Sequence, residues 1–151
     1  MNTFPTLKSL GEKLGQEVAV TEWVTITQER INLFADATDD HQWIHLDRER
    51  AKAGPFGATI AHGFLTLSLV PMFLKKAMTI EDQRMGVNYG LNKVRFPSPV
   101  LVDSELRARL VLKEFEPLDE SGAQCTMSVT IERRGSEKPV CVAECVSRHY
   151  I

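Results

Sequence analysis

The spacing of apolar residues in the first forty positions changes from the period of a strand to the period of a helix. One parity between residues 18 and 26 is apolar except at Glu22, which predicts a strand. The apolar side chains that share this parity are Val18, Val20, Val24 and Ile26. Helical spacing then relates Ile31, Phe34 and Ala35. Either Thr25 or Thr27 is suited to cap this helix, and Gln28 would complete a capping box with Thr25. The pattern therefore predicts a strand followed by a short helix that ends at about Thr38.

A longer apolar stretch, from about residue 61 to residue 77, is hydrophobic nearly all the way round a helical wheel. Such a pattern predicts a helix that is buried on most of its faces, and Pro71 is expected to kink it. A smaller helix is predicted just before it, over residues 48–53. Asp47 is a suitable cap for that helix, and Gly54-Pro55 is expected to end it.

The second half of the chain alternates in the manner of β-strands. Its first strand, residues 85–96, changes parity, which predicts a bulge near Asn92-Lys93. Three further strands are predicted around residues 106–112, 125–131 and 140–146, separated by turn residues. A strand, a buried helix and then several antiparallel strands predict an α+β domain in which a curved antiparallel sheet wraps around a long central helix.

Length and composition agree with one globular domain over residues 1–151, with 43% hydrophobic and 25% charged residues. A net charge of −2 without long runs of Lys or Arg disfavours nucleic acid as a partner. The pattern contains neither a membrane span nor a secretory leader, so a cytoplasmic location is predicted. The three cysteines lack C-x-x-C spacing and are expected to be reduced and packed. Because a sheet of five or six strands covers only one side of a buried helix, a homodimer is predicted.

The stretch D-D-H-Q-W-I-H, residues 39–45, places two carboxylates and two imidazoles close together. Potential metal ligands in and around it are Asp40, His41, His45, Asp47 and His62. Their spacing matches no metal-binding signature, so neither a metal nor a redox cofactor is predicted. Asp40 and His45 could instead converge on one water molecule as an acid/base pair. Alternatively, Asp40 caps the loop and His45 packs against Trp43, and the spacing alone does not decide between these two interpretations.

Two longer runs carry a resemblance to a known family. F-A-D-A-T-D-D-H-Q-W-I-H-L-D-R-E-R-A, followed by F-G-A-T-I-A-H-G-F-L-T-L, resembles the signature of the MaoC-like dehydratases. That family includes (R)-specific enoyl-CoA hydratases, and the sequence looks most like its NodN-like branch. The family pattern reads roughly T-G-D-x-N-P-x-H, then an acidic residue, an alanine, and I-A-H-G at the start of the central helix. The resemblance implies a hotdog fold over most of the chain.

The resemblance also implies roles for three residues. The catalytic aspartate of the family corresponds to Asp40 and its catalytic histidine to His45. Together they would hold a water, deliver its hydroxyl to C3 of a trans-2-enoyl thioester and deliver a proton to C2. The thioester oxygen is assigned to the backbone amide of Gly63, which agrees with the free amides at a helix start. Without the resemblance, Gly63 would be interpreted as a residue that relieves packing between helix and sheet.

Departures from the family pattern bear on substrate choice. The family often has Gly at the position of Asp39, Asn at Gln42 and Pro at Trp43, so Trp43 is a candidate wall of the acyl pocket and equally a buried loop residue. The residues predicted to bind substrate are Gln42, Trp43, Phe64, Asn92 and Arg95. His62 is expected to shape the turn before the helix, and Asp39 and His41 to lie on the solvent side.

The predicted function is reversible hydration of trans-2-enoyl-CoA, or a related acyl thioester, to the (3R)-hydroxyacyl product, without a cofactor. Two alternatives stay open. One is a thioesterase on the same fold, in which a carboxylate activates water against the carbonyl. The other is a non-catalytic subunit that binds acyl thioesters without turnover. Acyl chain length, pathway and physiological direction are not encoded in these motifs.

Overall fold

The computed structural model describes residues 1–151 and divides them between a helical layer and an antiparallel sheet. The strands are β1 (Asn2–Phe4), β2 (Glu17–Val20), β3 (Val24–Thr25), β4 (Met78–Ile80), β5 (Met85–Arg95), β6 (Glu105–Leu118), β7 (Gly122–Arg133) and β8 (Cys141–Tyr150). The helices are α1 (Leu7–Gly11), α2 (Gln28–Thr38), α3 (Trp43–Leu46), α4 (Arg48–Lys52), α5 (Gly63–Ser68) and α6 (Val70–Ala77).

The main sheet has six strands in the order β2-β6-β7-β8-β5, and β3 also pairs with β6. Every pairing in it is antiparallel. Leu110, Val129 and Ala143 are neighbours across three strands, and all three are buried. This row faces the helical layer, so the core lies between the sheet and the helices, as the predicted α+β hotdog fold requires.

The predicted central helix is divided into α5 and α6, which meet at Leu69. Pro71 lies in the first turn of α6 and cannot donate the hydrogen bond that residue 71 would make to Leu67, which explains the break. Phe73 is fully buried, whereas Phe64 and Lys75 are exposed. The helix was predicted to be buried on most of its faces. Within a single chain, only one side of it is buried.

The single strand predicted over residues 18–26 is wrong, because β2 and β3 are separate. Between them, the hydroxyl oxygen of Thr21 accepts a hydrogen bond of 2.9 Å from the backbone amide of Ala108 in β6. The Thr21 hydroxyl thus takes the place of a backbone carbonyl as the acceptor, and the hydrogen-bond ladder to β6 is interrupted at Thr21. The pattern also failed to indicate β1 and α1, although Thr6 caps α1 in a capping box with Ser9.

Strand β5 lies at the free edge of the main sheet. The predicted bulge is confirmed, since its register to β8 shifts between Leu91 and Lys93 and also between Asn88 and Gly90. Of its 11 residues, only Val94 is partly buried and the rest are exposed. A long, apolar and uncovered edge is unusual in a monomer, because natural sheets protect such edges.

Cys125, Cys141 and Cys145 are free thiols, as predicted. Burial raises the pKa of the Cys125 thiol to about 12, so it is a packed and unreactive group. Separately, none of the six helices has the length and apolar character that a membrane span requires.

Candidate active site

Asp40 and His45 are brought to their positions by the end of α2 and by the short helix α3. Asp39 ends α2 in the left-handed conformation, with φ of 58°, which aspartate tolerates better than most residues. The chain then turns through Asp40, which is exposed. His45 was predicted in a loop, but it lies within the single turn of α3 and is buried.

Backbone hydrogen bonds fix the orientation of the His45 ring. Its Nδ1 lies 2.6 Å from the carbonyl oxygen of Ile60, and a carbonyl only accepts, so Nδ1 carries the proton. The amide of Ile60 in turn donates to the carbonyl of Ile44 at 3.0 Å. Nε2 of His45 therefore keeps its lone pair and is the basic nitrogen of the site.

Gln28 holds α3 against the start of α2. Its side-chain amide donates to the carbonyl of His45 at 2.8 Å, and its side-chain oxygen accepts from the hydroxyl of Thr59 at 2.6 Å. The predicted capping box between Thr25 and Gln28 is therefore wrong. Thr27 caps α2 instead, since its hydroxyl oxygen accepts from the amide of Arg30 at 3.2 Å. Gln28 thus supports the site through these two hydrogen bonds. The sequence did not predict this role, because a glutamine in the first turn of a helix was expected to form a capping box.

His62 is a member of the site that the sequence did not assign to it. Its ring stacks on that of His45, with centroids 3.8 Å apart and an interplanar angle of 23°. Its Nε2 donates to the carbonyl of Asp40 at 3.0 Å, whereas its Nδ1 is buried without a hydrogen-bond partner. The Phe34 ring, at 4.9 Å, is a second aromatic neighbour of His62. The sequence drew attention to this residue only through the A-H-G motif and as a possible metal ligand. The aromatic neighbour on which the His45 ring stacks is thus His62.

A carboxylate oxygen of Asp40 and one ring nitrogen each from His45 and His62 lie within 4.8 Å of one another. Such a set has the ligand types of a metal site. The two rings are nearly parallel, with centroids 3.8 Å apart. A gap of this width also suits a water, because two hydrogen bonds of about 2.8 Å each can span it. The expectation that no metal is bound stays a prediction.

Burial lowers the pKa of His45 below its usual value of 6.5. The hydrogen bond to Ile60 and the charge of Asp40 act in the opposite direction, and His62 lowers the pKa further. Because burial is the largest of these effects, His45 is neutral near pH 7. A neutral imidazole with a free Nε2 is able to accept a proton from water.

The start of α5 lies directly after His62. The backbone amide of Gly63 makes no hydrogen bond, as expected for the first residue of a helix. A Cβ atom at Gly63 would lie 3.0 Å from the Phe96 ring, so the absence of a side chain allows the end of β5 to approach closely. Both interpretations of this glycine are therefore compatible with its surroundings: it relieves packing, and it leaves an accessible amide.

The residues predicted to bind substrate have varied surroundings. The Trp43 ring contacts Arg50, whose guanidinium carbon lies 4.2 Å from the ring centroid, and it borders Gly54. Phe64 is 70% exposed and meets Phe96 edge-on at 6.2 Å. The remaining candidates are the exposed residues Gln42, Asn92 and Arg95. None of the five donates a side-chain hydrogen bond to Asp40 or His45, so their roles in substrate binding stay predictions.

The solvent-side residues follow the prediction. Asp39 is the exposed end of α2, and His41 pairs with Asp36 at 3.0 Å on the surface. His149, which had no predicted role, is partly buried and bonds to Gln83 and Ser147 at the far end of β8. Of the four ionisable groups in residues 39–45, only Asp40 and His45 belong to the cluster that includes His62.

The molecule is a hotdog domain with an aspartate and a neutral histidine near the start of its central helix, and its relatives place it among the dehydratases of the hydro-lyase class. The MaoC like domain matches residues 9–133, which is most of the chain. The chain therefore belongs to the MaoC-like dehydratase family, as its motifs predicted.

Related proteins agree with this assignment. The chain is 53% identical over 149 residues to 3-hydroxyacyl-thioester dehydratase Z of Mycobacterium tuberculosis, covering 99% of both proteins. It is 45% identical to Nodulation protein N of Rhizobium leguminosarum, covering 94% of this chain and 89% of that protein, which confirms the NodN-like character. R-Hydratase PhaJ1 from Pseudomonas aeruginosa superimposes with a TM-score of 0.77 at 22% identity, covering 97% of this chain and 86% of that one. The last comparison confirms the hotdog fold.

Proposed function

We propose that this protein is an (R)-specific enoyl-CoA hydratase/dehydratase, which adds water reversibly to trans-2-enoyl-CoA to give (3R)-hydroxyacyl-CoA. The observation that carries the proposal is the pair formed by the Asp40 carboxylate and the neutral His45 imidazole, whose polar atoms lie within 4.8 Å. In this proposal one water is held between them, and conjugate addition requires that water to be oriented and deprotonated.

The chemistry divides between the two side chains. In hydration, Nε2 of His45 takes a proton from the water while the oxygen of that water bonds to C3. The electrons of the double bond move towards the thioester, whose oxygen becomes negative. The imidazolium then returns the proton to C2, so water is added overall and His45 is neutral again. Asp40 accepts a hydrogen bond from the second hydrogen of the water, which stays on the hydroxyl group, and stabilises the imidazolium by its charge.

The negative thioester oxygen needs a hydrogen-bond donor. The amide of Gly63 is the candidate, because it makes no hydrogen bond within the chain and follows the ring that stacks on His45. A helix start offers such amides together with the positive end of the helix dipole. No metal or redox cofactor enters this sequence of steps.

The relatives support the substrate class. The 53% identical mycobacterial protein is called a 3-hydroxyacyl-thioester dehydratase, and the superimposed Pseudomonas protein is called an R-hydratase. A dehydratase removes the water that a hydratase adds, so both names describe one reversible reaction. We propose CoA as the carrier of the acyl group and a straight-chain enoyl group as the minimal substrate.

A homodimer is part of the proposal. Strand β5 leaves an entire edge of the sheet unpaired, and its large apolar side chains are exposed. The exposed apolar residues of this strand are Met85, Val87, Tyr89 and Leu91. A second copy that pairs along β5 would satisfy the free backbone groups and cover these side chains.

The reaction can be tested with crotonyl-CoA, the simplest trans-2-enoyl-CoA. Loss of the absorbance of the conjugated thioester, formation of (3R)-hydroxybutyryl-CoA and no release of free CoA thiol are expected. Release of thiol at the rate of substrate loss would instead identify a thioesterase. Tight binding without any turnover would identify a non-catalytic subunit. Either result would reject the proposed function.

A further inference from the structure

A groove of about 860 Å³ lies between the central helix and the free-edge half of the sheet. Its walls come mainly from α5, α6, β4, β5 and β8. Most of its apolar walls consist of aliphatic side chains, which include Leu67, Val70, Leu74, Ile80 and Leu91. The groove does not include Asp40 or His45, so its role is not explained by the acid/base pair.

Both flanking elements connect the groove to the start of the central helix. Leu67 lies one helical turn after Gly63, and the groove continues along α5 and α6 to Met78, the first residue of β4. In the sheet, Phe96 touches the position of Gly63, and the strand runs from there through Leu91 to Gly86. Gly63 and Phe96 do not themselves line the groove, which begins about one helical turn beyond the proposed thioester site and extends from there to β4.

The far end of this groove is polar although it belongs to the inner face of the sheet. Ser147 is the register neighbour of Cys125, and His149 is the neighbour of Ala123. Cys125 and Ala123 are fully buried, so this row faces the helical layer. Arg148, between the two polar residues, lies on the opposite face over the Tyr89 ring at 3.7 Å.

In β5, which pairs with β8 here, Gly86 has no side chain and leaves room beside these polar groups. Gly86 pairs with His149 and Asn88 pairs with Ser147, and all four line the groove. Gln83 reaches the same place from the turn before β5, since a Cβ atom on Gly86 would lie 2.8 Å from its side-chain nitrogen. We call Gln83, Asn88, Ser147 and His149 the far-end polar cluster.

Hydrogen bonds inside the far-end polar cluster leave some of its groups unused. Nδ1 of His149 lies 2.9 Å from the side-chain oxygen of Gln83, and Nε2 lies 2.9 Å from the Ser147 hydroxyl. Nδ1–H therefore donates to Gln83, and the Ser147 hydroxyl donates to Nε2. The side-chain amide of Gln83, the lone pairs of Ser147 and the amide group of Asn88 have no further partner within the chain.

We propose that the far-end polar cluster binds a neutral hydroxyl or carbonyl group carried by the acyl chain of the substrate, at a distance from the thioester. The proposal rests on the proposed function, because the acyl chain must start at Gly63. All four side chains are uncharged donors or acceptors when His149 is neutral. A hydroxyl or carbonyl can use the unused groups without bringing a charge into a largely apolar groove. The substrate class is therefore a long-chain acyl thioester with an oxygen function towards its far end.

Binding of unreactive ligands tests this proposal without turnover. Calorimetry would compare saturated acyl-CoA thioesters of graded chain length, each as a plain chain and with one hydroxyl near its end. The wild-type protein should prefer the hydroxylated ligand at the length that reaches Ser147. Ser147→Ala should reduce the affinity for that ligand by roughly 3- to 10-fold, the effect of one hydrogen bond, and leave the plain ligands unchanged.

Ser128→Ala is the matched control. Ser128 lies in the same sheet but pairs with Glu144, on the face of the sheet that points away from the groove. The control should leave all affinities unchanged. Equal affinity of the wild-type protein for plain and hydroxylated ligands at every length would overturn the proposal. The proposal would also be overturned if Ser147→Ala reduced the affinity for plain and hydroxylated ligands equally. A third contrary result is an affinity that does not depend on chain length, as expected if a second copy fills the groove.

Turnover separates this proposal from the proposed function. If crotonyl-CoA is hydrated but long hydroxylated ligands show no preference, only the far-end polar cluster has been assigned wrongly. If hydroxylated acyl-CoA is preferred but no enoyl-CoA is hydrated, the groove binds acyl chains and the proposed reaction is wrong.

Discussion

His45 illustrates how a single residue obtains its chemical state from its surroundings. The carbonyl of Ile60 selects the tautomer, and burial keeps the imidazole neutral. His149 is likewise held with a lowered pKa by burial, and both of its nitrogens are hydrogen-bonded. In contrast, the pKa of the exposed His41 is raised by its hydrogen bond to Asp36. His45 and His149 therefore respond to the same pH differently from the exposed His41.

These pKa shifts predict a loss of stability in acid. The folded-state pKa values of His45 and His149 lie below 6.5, so the unfolded chain takes up protons first as the pH falls. The stability that the neutral rings contribute is present above about pH 6.5 and is lost as the pH falls through the folded-state values. Urea unfolding at pH 7.5, 6.5 and 5.5 should show this decline, and His149→Leu should make it shallower. A decline of equal slope in His149→Leu would contradict the assignment to His149.

At the scale of elements, local patterns predicted most of the fold. Periodicity and caps were sufficient for α2 and α4, where Thr27 and Asp47 accept bonds from the first helical turn. They were also sufficient for the four long strands and the bulge of β5. The short parallel pair of β1 and β4 was missed, because its partners are about 75 residues apart and each has only three residues.

The candidate site was predictable to a similar extent. The family motif identified Asp40 and His45, but the contact between Asp40 and His62 spans 22 residues and depends on how α3 meets α5. The same limit applies to Phe96, whose contact with Gly63 exists only because the end of β5 approaches the helix start. The local sequence contains no direct signal for contacts between segments that are far apart along the chain. The proximity of Asp40 and His45 was therefore predictable, and the residues that support them were not.

The junction of α5 and β5 gives a second prediction. Gly63→Ala introduces a methyl group 3.0 Å from the Phe96 ring and should lower the free energy of unfolding by about 1 kcal/mol through overpacking. Phe96→Leu in the same chain should relieve this clash, so the double variant should be more stable than the sum of the two single effects predicts. Urea unfolding of the four proteins measures this coupling. Strict additivity would show that the two positions are not in contact.

The whole molecule has one protected and one unprotected sheet edge. Strand β2 is short, and its Glu17 pairs with Arg109 at 3.2 Å, whereas β5 is long, apolar and uncovered. The groove also opens beside β5. A second copy along this edge would therefore complete the sheet and close the groove on its open side.

This asymmetry predicts that wild-type protein sediments with twice the mass of one chain. Val87→Glu combined with Tyr89→Glu should shift the equilibrium towards the monomer, because like charges would face each other across the paired edges. Val20→Glu is the control, since Val20 is similarly exposed but belongs to β2. Sedimentation equilibrium would distinguish the three proteins. A wild-type monomer, or equal dissociation by the control, would reject pairing along β5.

The central claim is that Asp40 and His45 together perform the addition of water. The most direct measurement compares kcat on crotonyl-CoA for Asp40→Asn and His45→Gln with Asp39→Asn and His41→Gln, which make the same chemical changes at neighbouring exposed residues. Each of the first two variants should lose at least about a hundredfold in kcat, because general acid/base catalysis is removed, and the two controls should stay near wild type. Wild-type turnover in Asp40→Asn or His45→Gln, or equal losses in the controls, would contradict the account.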